Sequence, residues 1–309
     1  MEPLHAQDIR GSWATVLLPI NEDESIDMAR LAAEIDYLIA AGVHGMYTNG
    51  TAGEFYAQTE GEFDQIQMIV AERCEQGAVP FQIGASHMDP LIMLSRIRRA
   101  AQLAPAAIQI ILPDWFPLSQ EEQIDFLLQA ADIADPVGLV LYNPPHAKRV
   151  LTPRELGVLA EAVPALVGVK TAGGDATWYQ KAGHYAPQLA VFVPGHYLAT
   201  GVSRGAQGAY SNVACLSPGG SSRWYDLMLT DMAAAQELEG RIQDFFAEYI
   251  TPFIVQQGYA NQAADKLLAA IGGWADVGTR LRRPYRWIPA EAADSLAPIA
   301  RAMLPELFA

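Results

Sequence analysis

Lys170 is the residue of this sequence whose setting favours covalent chemistry. It ends the apolar run Leu166–Val169. The chain has three other lysines, which all lie in polar or helical contexts: Lys148, Lys181 and Lys266. An ammonium group in apolar surroundings is costly or loses its proton, and a lysine with a lowered pKa attacks carbonyl groups to form Schiff bases. The alternative is a lysine that reaches solvent at a strand end and pairs with a carboxylate, and the residues alone leave both open.

Tyr142 ends a second apolar run, Val137–Leu141, in the same way. A phenol at a strand end can transfer a proton or hydrogen-bond a carbinolamine. An aromatic residue that fills the core, with its hydroxyl satisfied, would give the same pattern.

The segment Gly50-Thr51-Ala52-Gly53-Glu54 follows a third apolar run. Its two glycines let the backbone approach a ligand closely, and successive N–H groups at a turn can hold a carboxylate. Gly50, Thr51 and Ala52 are therefore candidate binding residues. A purely structural turn has the same composition.

Other common chemistries lack their motifs. There is no Walker A loop, no H-E-x-x-H and no G-x-S-x-G. The six histidines show no metal-ligand spacing, although His146 and His196 fall at predicted strand ends. We therefore expect no metal site.

Alternating β-like and helical segments must position these residues. Eight β-like runs are present: Trp13–Ile20, Val43–Asn49, Phe81–Ala85, Ala107–Leu112, Val137–Tyr142, Leu166–Thr171, Leu189–Val193 and Gly208–Ser211. Several are continuously apolar, as in parallel strands that are buried on both faces. The helical segments between them include Asp27–Ala41, Ser119–Ala134 with a capping-box start, and one opened by Thr152-Pro153.

This alternation predicts an α/β fold, a (β/α)8 TIM barrel over residues 1–231. The chain reads as helical after about residue 215, which predicts a C-terminal helical extension over residues 232–309 that packs on the barrel. A doubly wound sheet is the main alternative, but no G-x-G-x-x-G follows the first strand. In a barrel, catalytic residues lie at the C-terminal ends of the strands, beginning here with Pro19.

Composition narrows the class of protein. The 309 residues carry 20 Lys plus Arg against 35 Asp plus Glu, a net charge of −15, which argues against nucleic-acid and anionic-membrane partners. No apolar run is long enough for a membrane span, and the start has no secretory pattern. We expect a cytoplasmic protein in which Cys74 and Cys215 are reduced packing residues.

Motifs in order along nearly all of residues 13–300 resemble the dihydrodipicolinate synthase / N-acetylneuraminate lyase family. They are Gly50-Thr51-Ala52-Gly53-Glu54, Tyr142-Asn143-Pro144-Pro145, Gly168-Val169-Lys170 and Gly173-Gly174-Asp175. The family consists of (β/α)8 class I aldolases and dehydratases, usually homotetramers that need no cofactor. The resemblance implies an imine between Lys170 and a 2-oxo acid, proton transfer by Tyr142, and a carboxylate held by Thr51 and the N–H groups of Thr51 and Ala52.

Three departures from the family pattern argue against a lysine-biosynthetic synthase. Ala52 stands where synthases usually carry a second hydroxyl. Asp114-Trp115-Phe116-Pro117 replaces a Tyr-Tyr pair, and Ala147 replaces the arginine that binds the aldehyde's carboxylate. Lys148 and Arg149 follow that position, and Lys148 is a candidate replacement.

Phe55 after Gly-Glu is similar to sugar-acid aldolases of the family, so we expect a lyase that acts on a 2-keto-3-deoxy sugar acid. Trp115 resembles the apolar wall of the hydratase-aldolases that cleave arylidene pyruvates. Tyr210 at the eighth strand either restores a phenol to the site or simply fills the barrel. The alternatives are such a hydratase-aldolase, a keto-deoxy sugar-acid dehydratase, a dihydrodipicolinate synthase, or a non-catalytic 2-oxo acid binding protein. An unrelated barrel enzyme would need a phosphate loop, for which Gly195 gives little support.

Overall fold

The computed structural model covers residues 1–309 and shows a closed barrel of eight parallel strands in sequence order. The strands β1 to β8 are Gly11–Thr15, Gly45–Tyr47, Phe81–Gly84, Ala107–Ile110, Leu139–Tyr142, Leu166–Lys170, Ala190–Pro194 and Gly208–Tyr210. Each of the eight predicted runs therefore overlaps one strand, and the predicted TIM barrel is confirmed. The runs were recognisable because parallel barrel strands are buried on both faces.

The first two strands are shorter than predicted, for local reasons. β1 ends at Thr15 rather than Ile20, because the Leu17 N–H donates to a Glu34 carboxylate and Pro19 has no N–H to donate. Thr15, not Pro19, is therefore the residue at the end of this strand. β2 stops before Asn49, whose φ of +53° is incompatible with an extended strand.

Fourteen α-helices surround and extend the barrel. The helices α1 to α9 are Met28–Ala40, Glu60–Gln76, Pro90–Ala101, Gln120–Ala134, Pro153–Ala162, Ala176–Tyr185, Leu198–Ser203, Asn212–Leu216 and Pro218–Thr230. The helices α10 to α14 are Met232–Phe245, Thr251–Val255, Asn261–Gly272, Glu291–Met303 and Pro305–Phe308. The segment Phe246–Ile250 between α10 and α11 is a π-helical turn. None of these helices has the length and apolar character that crossing a membrane requires.

Helix starts follow the predicted capping chemistry. Asp27 caps α1, and both Ser119 before α4 and Thr152 before α5 form reciprocal capping boxes with a glutamate three residues later. Pro153 occupies the first turn of α5. These caps fix where each helix begins relative to the strand before it.

The C-terminal helices share one apolar core with the barrel. A continuous cluster of 79 buried residues includes Ile83 and Leu141 on strands and Leu267 and Ile271 on α12. Asp231 caps α10, so a helix boundary coincides with the expected end of the barrel segment. The division into residues 1–231 and 232–309 stays a prediction.

Candidate active site

A cavity of about 390 Å³ opens at the C-terminal ends of the strands. Its floor is formed by strand ends and the loops that follow them, and its roof by α10, the π-helical turn, α11 and α12. Side chains from the floor include Thr15, Tyr47, Thr51, Tyr142, Lys170 and Tyr210. The topology thus brings together residues that are as far as 195 positions apart in sequence.

Lys170 lies at the centre of the floor among three aromatic rings. Its Nζ is 4.3 Å from the ring centroid of Tyr142, 4.7 Å from that of Tyr47 and 5.2 Å from that of Tyr210. Burial lowers the pKa of Lys170 to about 8, although the Asp265 carboxylate acts in the opposite direction. A substantial fraction of this amine is therefore neutral near neutral pH, as a nucleophile requires.

Tyr142 is held beside Lys170 by strand register and by a hydrogen bond. The two residues are partners in the pairing of β5 with β6. The Tyr142 hydroxyl lies 3.2 Å from the Thr51 hydroxyl. Burial raises the pKa of Tyr142, and the hydrogen bond from Thr51 partly offsets that rise. The phenol therefore stays protonated and can exchange its proton within the cavity.

The loop after β2 approaches Lys170 through its backbone. A Cβ atom at Gly50 would lie 2.7 Å from the Tyr47 ring and 3.5 Å from Lys170 Nζ, so only glycine fits there. The N–H groups of Thr51 and Ala52 donate no hydrogen bond within the chain. Glu54 ends the loop in a left-handed conformation, with φ of +51°. Strain of this kind persists where surrounding contacts hold it, and it often marks a functional site.

A buried ion pair supplies those contacts. Lys266 Nζ lies 2.7 Å from a Glu54 oxygen and donates hydrogen bonds of 2.6 Å to the carbonyl groups of Leu18 and Arg280. Both side chains are 0% exposed. Lys266 was expected to lie in a polar or helical context, but α12 is apolar on most of its surface, which is the signal in the sequence for its burial.

Asp265, the neighbour of Lys266 on α12, lines the cavity and was missed by the sequence analysis. Burial raises its pKa to about 7, and the positive charge of Lys170 opposes that rise. Four residues of α12 line the cavity at helical spacing: Asn261, Ala264, Asp265 and Leu268. That spacing could have identified the face, but nothing in the sequence shows that this face covers the barrel mouth.

His196 follows β7 and lines the cavity as a fixed side chain. Its Nδ1 lies 2.8 Å from the amide nitrogen of Asn212, and its ring stacks on Phe246 at 5.1 Å between centroids. Burial lowers its pKa. It therefore presents a neutral imidazole to the cavity. His146 also lines the cavity, from an exposed position in the loop after β5.

Trp115 and Lys148, both candidate binding residues, lie outside this cavity and contact each other. Lys148 Nζ donates to the Trp115 carbonyl at 2.6 Å and sits 4.8 Å from a ring centroid of Trp115. The Trp115 side chain is 80% exposed. Arg149 binds the Leu118 carbonyl and pairs with Glu155 at 2.7 Å. Lys170 is thus the one lysine or arginine that lines the cavity.

Tyr210 and Tyr47 lie in the barrel below Lys170. The Tyr210 hydroxyl donates to Gln82 at 2.7 Å, and its ring packs 4.7 Å from that of Tyr47. Burial raises the pKa of both phenols. Tyr210 therefore contributes an aromatic face to the cavity, while its hydroxyl is engaged inside the barrel.

Relatives of known activity match over most of the chain. The N-acetylneuraminate lyase of Rhizobium meliloti (strain 1021) is 27% identical over 308 residues, which cover 97% of this chain and 96% of the relative. The N-acetylneuraminate lyase of Escherichia coli (strain K12 / DH10B) is 26% identical over 205 residues, or 66% of this chain and 68% of the relative.

Solved structures share the fold over nearly the whole chain. A prophage protein of the dihydrodipicolinic acid synthase family from Escherichia coli K12, in complex with pyruvate, has a TM-score of 0.82 at 22% identity and covers 96% of this chain and 98% of its own. The sialic acid aldolase of Ruminococcus gnavus has a TM-score of 0.84 at 19% identity, over 97% of this chain and 99% of its own.

The family model described as the dihydrodipicolinate synthetase family matches residues 8–303. That match includes every strand of the barrel and all but the last short helix. The resemblance read from the motifs is thereby confirmed. The chain belongs to the dihydrodipicolinate synthetase family and is an enzyme of its class I aldolase and lyase type.

Proposed function

We propose that this enzyme forms a Schiff base between Lys170 and pyruvate and makes or breaks the bond between pyruvate and an aldehyde. The observation that carries the proposal is the amine of Lys170, which reaches the cavity with its pKa lowered to about 8 by burial. A neutral amine adds to the keto carbon and expels water to give an imine. The protonated imine then accepts the electron pair that is released when the adjoining carbon–carbon bond breaks.

The loop after β2 and Tyr142 complete this chemistry in our proposal. The free N–H groups of Thr51 and Ala52, with the Thr51 hydroxyl, suit the carboxylate of a 2-oxo acid. The Tyr142 phenol, 3.2 Å from that hydroxyl, suits a group that gives and takes the proton of the bond being cleaved.

For the substrate we propose a 2-keto-3-deoxy sugar acid. Neither Lys148 nor Arg149 lines the cavity, and each is engaged by other groups, so the cavity itself holds no second cation for a carboxylate at the far end of the substrate. That arrangement disfavours the dihydrodipicolinate synthase reaction. Polar groups of His196, Asn212, Thr251 and Asn261 line the cavity and suit hydroxyl groups.

An arylidene pyruvate is the second candidate. The roof of the cavity contributes four large apolar side chains, Phe246, Ile250, Ile254 and Leu268. They provide the apolar wall that was expected from Trp115, which lies at the surface. Water addition followed by retro-aldol cleavage would use the same imine, as would the dehydratase alternative.

The test is borohydride reduction in the presence of pyruvate, followed by peptide mass spectrometry. We expect a reduced pyruvyl adduct on the peptide that contains Lys170. Turnover of a 2-keto-3-deoxyhexonate and of an arylidene pyruvate then separates the two substrate classes. An adduct without turnover of either would support the non-catalytic binding alternative, and no adduct with any 2-oxo acid would refute the Schiff-base proposal.

A further inference from the structure

We propose that Asp265 binds a hydroxyl or ammonium group on the aldehyde half of the substrate, so that the enzyme selects aldehydes that donate hydrogen bonds over aldehydes that carry a carboxylate. The inference rests on the proposed pyruvate imine and adds to it the residue that chooses the second substrate. It is carried by the placement of one carboxylate in the catalytic cavity.

Asp265 is the one acidic residue among those that line the cavity, as Lys170 is the one lysine or arginine. It enters from the roof, on the α12 face that also presents Asn261 and Leu268, whereas Lys170 enters from the floor. No hydrogen bond from a protein donor acts on its carboxylate: its pKa responds only to burial and to the charge of Lys170. Asp265 is half-buried and faces the cavity, so a donor on the substrate can supply the hydrogen bond that the protein does not.

Charge balance in the occupied site favours the same assignment. A protonated imine at Lys170 neutralises the carboxylate of the pyruvyl half, which leaves Asp265 as the unbalanced charge of the cavity. A second carboxylate on the substrate would then lie beside a like charge in a partly dry site, where repulsion is weakly screened. A hydroxyl or ammonium group would instead gain a charge-assisted hydrogen bond.

The backbone around Asp265 is firmly held. Its neighbour Lys266 is tied to Glu54, to the Leu18 carbonyl and to the Arg280 carbonyl, on the side of the helix that faces the loop after β2. Because consecutive helical residues point in different directions, this anchor leaves Asp265 directed into the cavity. A fixed carboxylate of this kind gives geometric selectivity rather than general attraction.

The experiment keeps pyruvate constant and varies the aldehyde. Initial rates of aldol addition give kcat/KM for D-glyceraldehyde, which has hydroxyl donors, for propanal, which has none, and for glyoxylate, which has a carboxylate. The enzymes are the wild type, Asp265→Asn, Asp265→Leu, and Asp244→Asn as a control at an exposed aspartate of α10.

We expect the wild type to prefer D-glyceraldehyde to both other aldehydes. Asp265→Asn should move the glyceraldehyde to glyoxylate ratio toward glyoxylate by about tenfold or more, and Asp265→Leu should move the glyceraldehyde to propanal ratio toward propanal by about as much. Asp244→Asn should leave both ratios unchanged. Ratios remove any effect on Lys170 that is common to all aldehydes.

Trapping of the pyruvate adduct separates the two ways in which the idea can fail. If wild-type enzyme forms no adduct, the proposed function falls and this inference falls with it. If the adduct forms but both ratios stay within about twofold in the Asp265 variants, the proposed function stands and the role of Asp265 is refuted. A wild-type enzyme that forms the adduct but prefers glyoxylate also refutes it.

Discussion

Two lysines are enclosed by this protein, one in the floor of the cavity and one beneath its roof, and they differ in what surrounds them. Lys266 is 0% exposed and contacts a carboxylate and two backbone carbonyl groups. Lys170 faces the cavity, and its Nζ is surrounded by the rings of three tyrosines. Enclosure alone therefore does not make a lysine reactive, because the reactive one also needs access and an unsatisfied ammonium group.

The difference follows from how each charge is compensated. Burial lowers the pKa of both lysines, but hydrogen bonding and the charge of Glu54 act against it at Lys266. At Lys170 the opposing charges, chiefly that of Asp265, leave the pKa at about 8. The Lys266 ammonium thus has an anionic partner and two hydrogen-bond acceptors, whereas the Lys170 ammonium has no such partners and can more readily give up its proton.

The structural lysine nevertheless serves the reactive one. Through Glu54 it holds the loop that carries Gly50 and Thr51 against Lys170 and Tyr142. The barrel thus supplies the reacting groups, and the C-terminal helices hold a binding loop and close the cavity. Substitutions at the two lysines should separate these two contributions.

The largest effect should follow from Lys170→Met. We expect complete loss of the borohydride-trapped pyruvate adduct, because no other lysine lines the cavity. The free energy of unfolding should stay the same or rise, since an apolar side chain replaces a cation that is only partly compensated. Trapping and urea denaturation measure the two quantities, with Lys181→Met on exposed α6 as the matched control. A persistent adduct in Lys170→Met would place the nucleophile elsewhere.

The sequence predicted several residues of the floor of the site but not Thr15 and Tyr47. Two of them, Lys170 and Tyr142, end apolar runs, and Thr51 closely follows another. A barrel fold therefore places all three at the C-terminal end of the sheet. The eight runs could be recognised because parallel strands buried on both faces are continuously apolar. Every strand differs from its predicted run by at least one residue at an end, and the first strand differs most, where side-chain contacts compete with the sheet.

The roof could not be derived in the same way. Asp265 and Lys266 are adjacent in sequence, but one lines the cavity and the other lies under a loop more than 200 residues away. Such a placement depends on how α12 packs on the barrel, which periodicity does not specify. Trp115 shows the converse: its side chain points to solvent because the loop conformation sets its direction.

A smaller effect, on stability rather than chemistry, should follow from Lys266→Met. The substitution leaves Glu54 buried without its cationic partner. It also removes the positive charge that lowers the pKa of nearby Glu34, which burial raises to about 8. Removal of one member of a buried pair lowers the free energy of unfolding by about 3–5 kcal/mol. Urea denaturation should show this loss, while the folded fraction still yields the adduct at Lys170.

A double variant tests whether the ion pair is the cause. Lys266→Met combined with Glu54→Gln removes both charges, so its loss should be smaller than the sum of the two single losses. Additive losses would show that Lys266 stabilises the protein by packing alone. In that case the ion pair with Glu54 would not be what distinguishes Lys266 from Lys170.

The smallest effect concerns the pH dependence of adduct formation. Only the neutral amine attacks pyruvate, so the rate of trapping should rise about tenfold per pH unit below the pKa and level off above it. The rate should level off near pH 8, the pKa to which burial lowers Lys170.

Because the Asp265 carboxylate raises the pKa of Lys170, Asp265→Asn should move the pH at which the rate levels off to a lower value. Single-turnover trapping between pH 6 and 10 measures this pH dependence directly. Levelling near the ordinary lysine value of about 10.4 would mean that burial does not lower the pKa of Lys170, and the distinction between the two lysines would then rest on access alone.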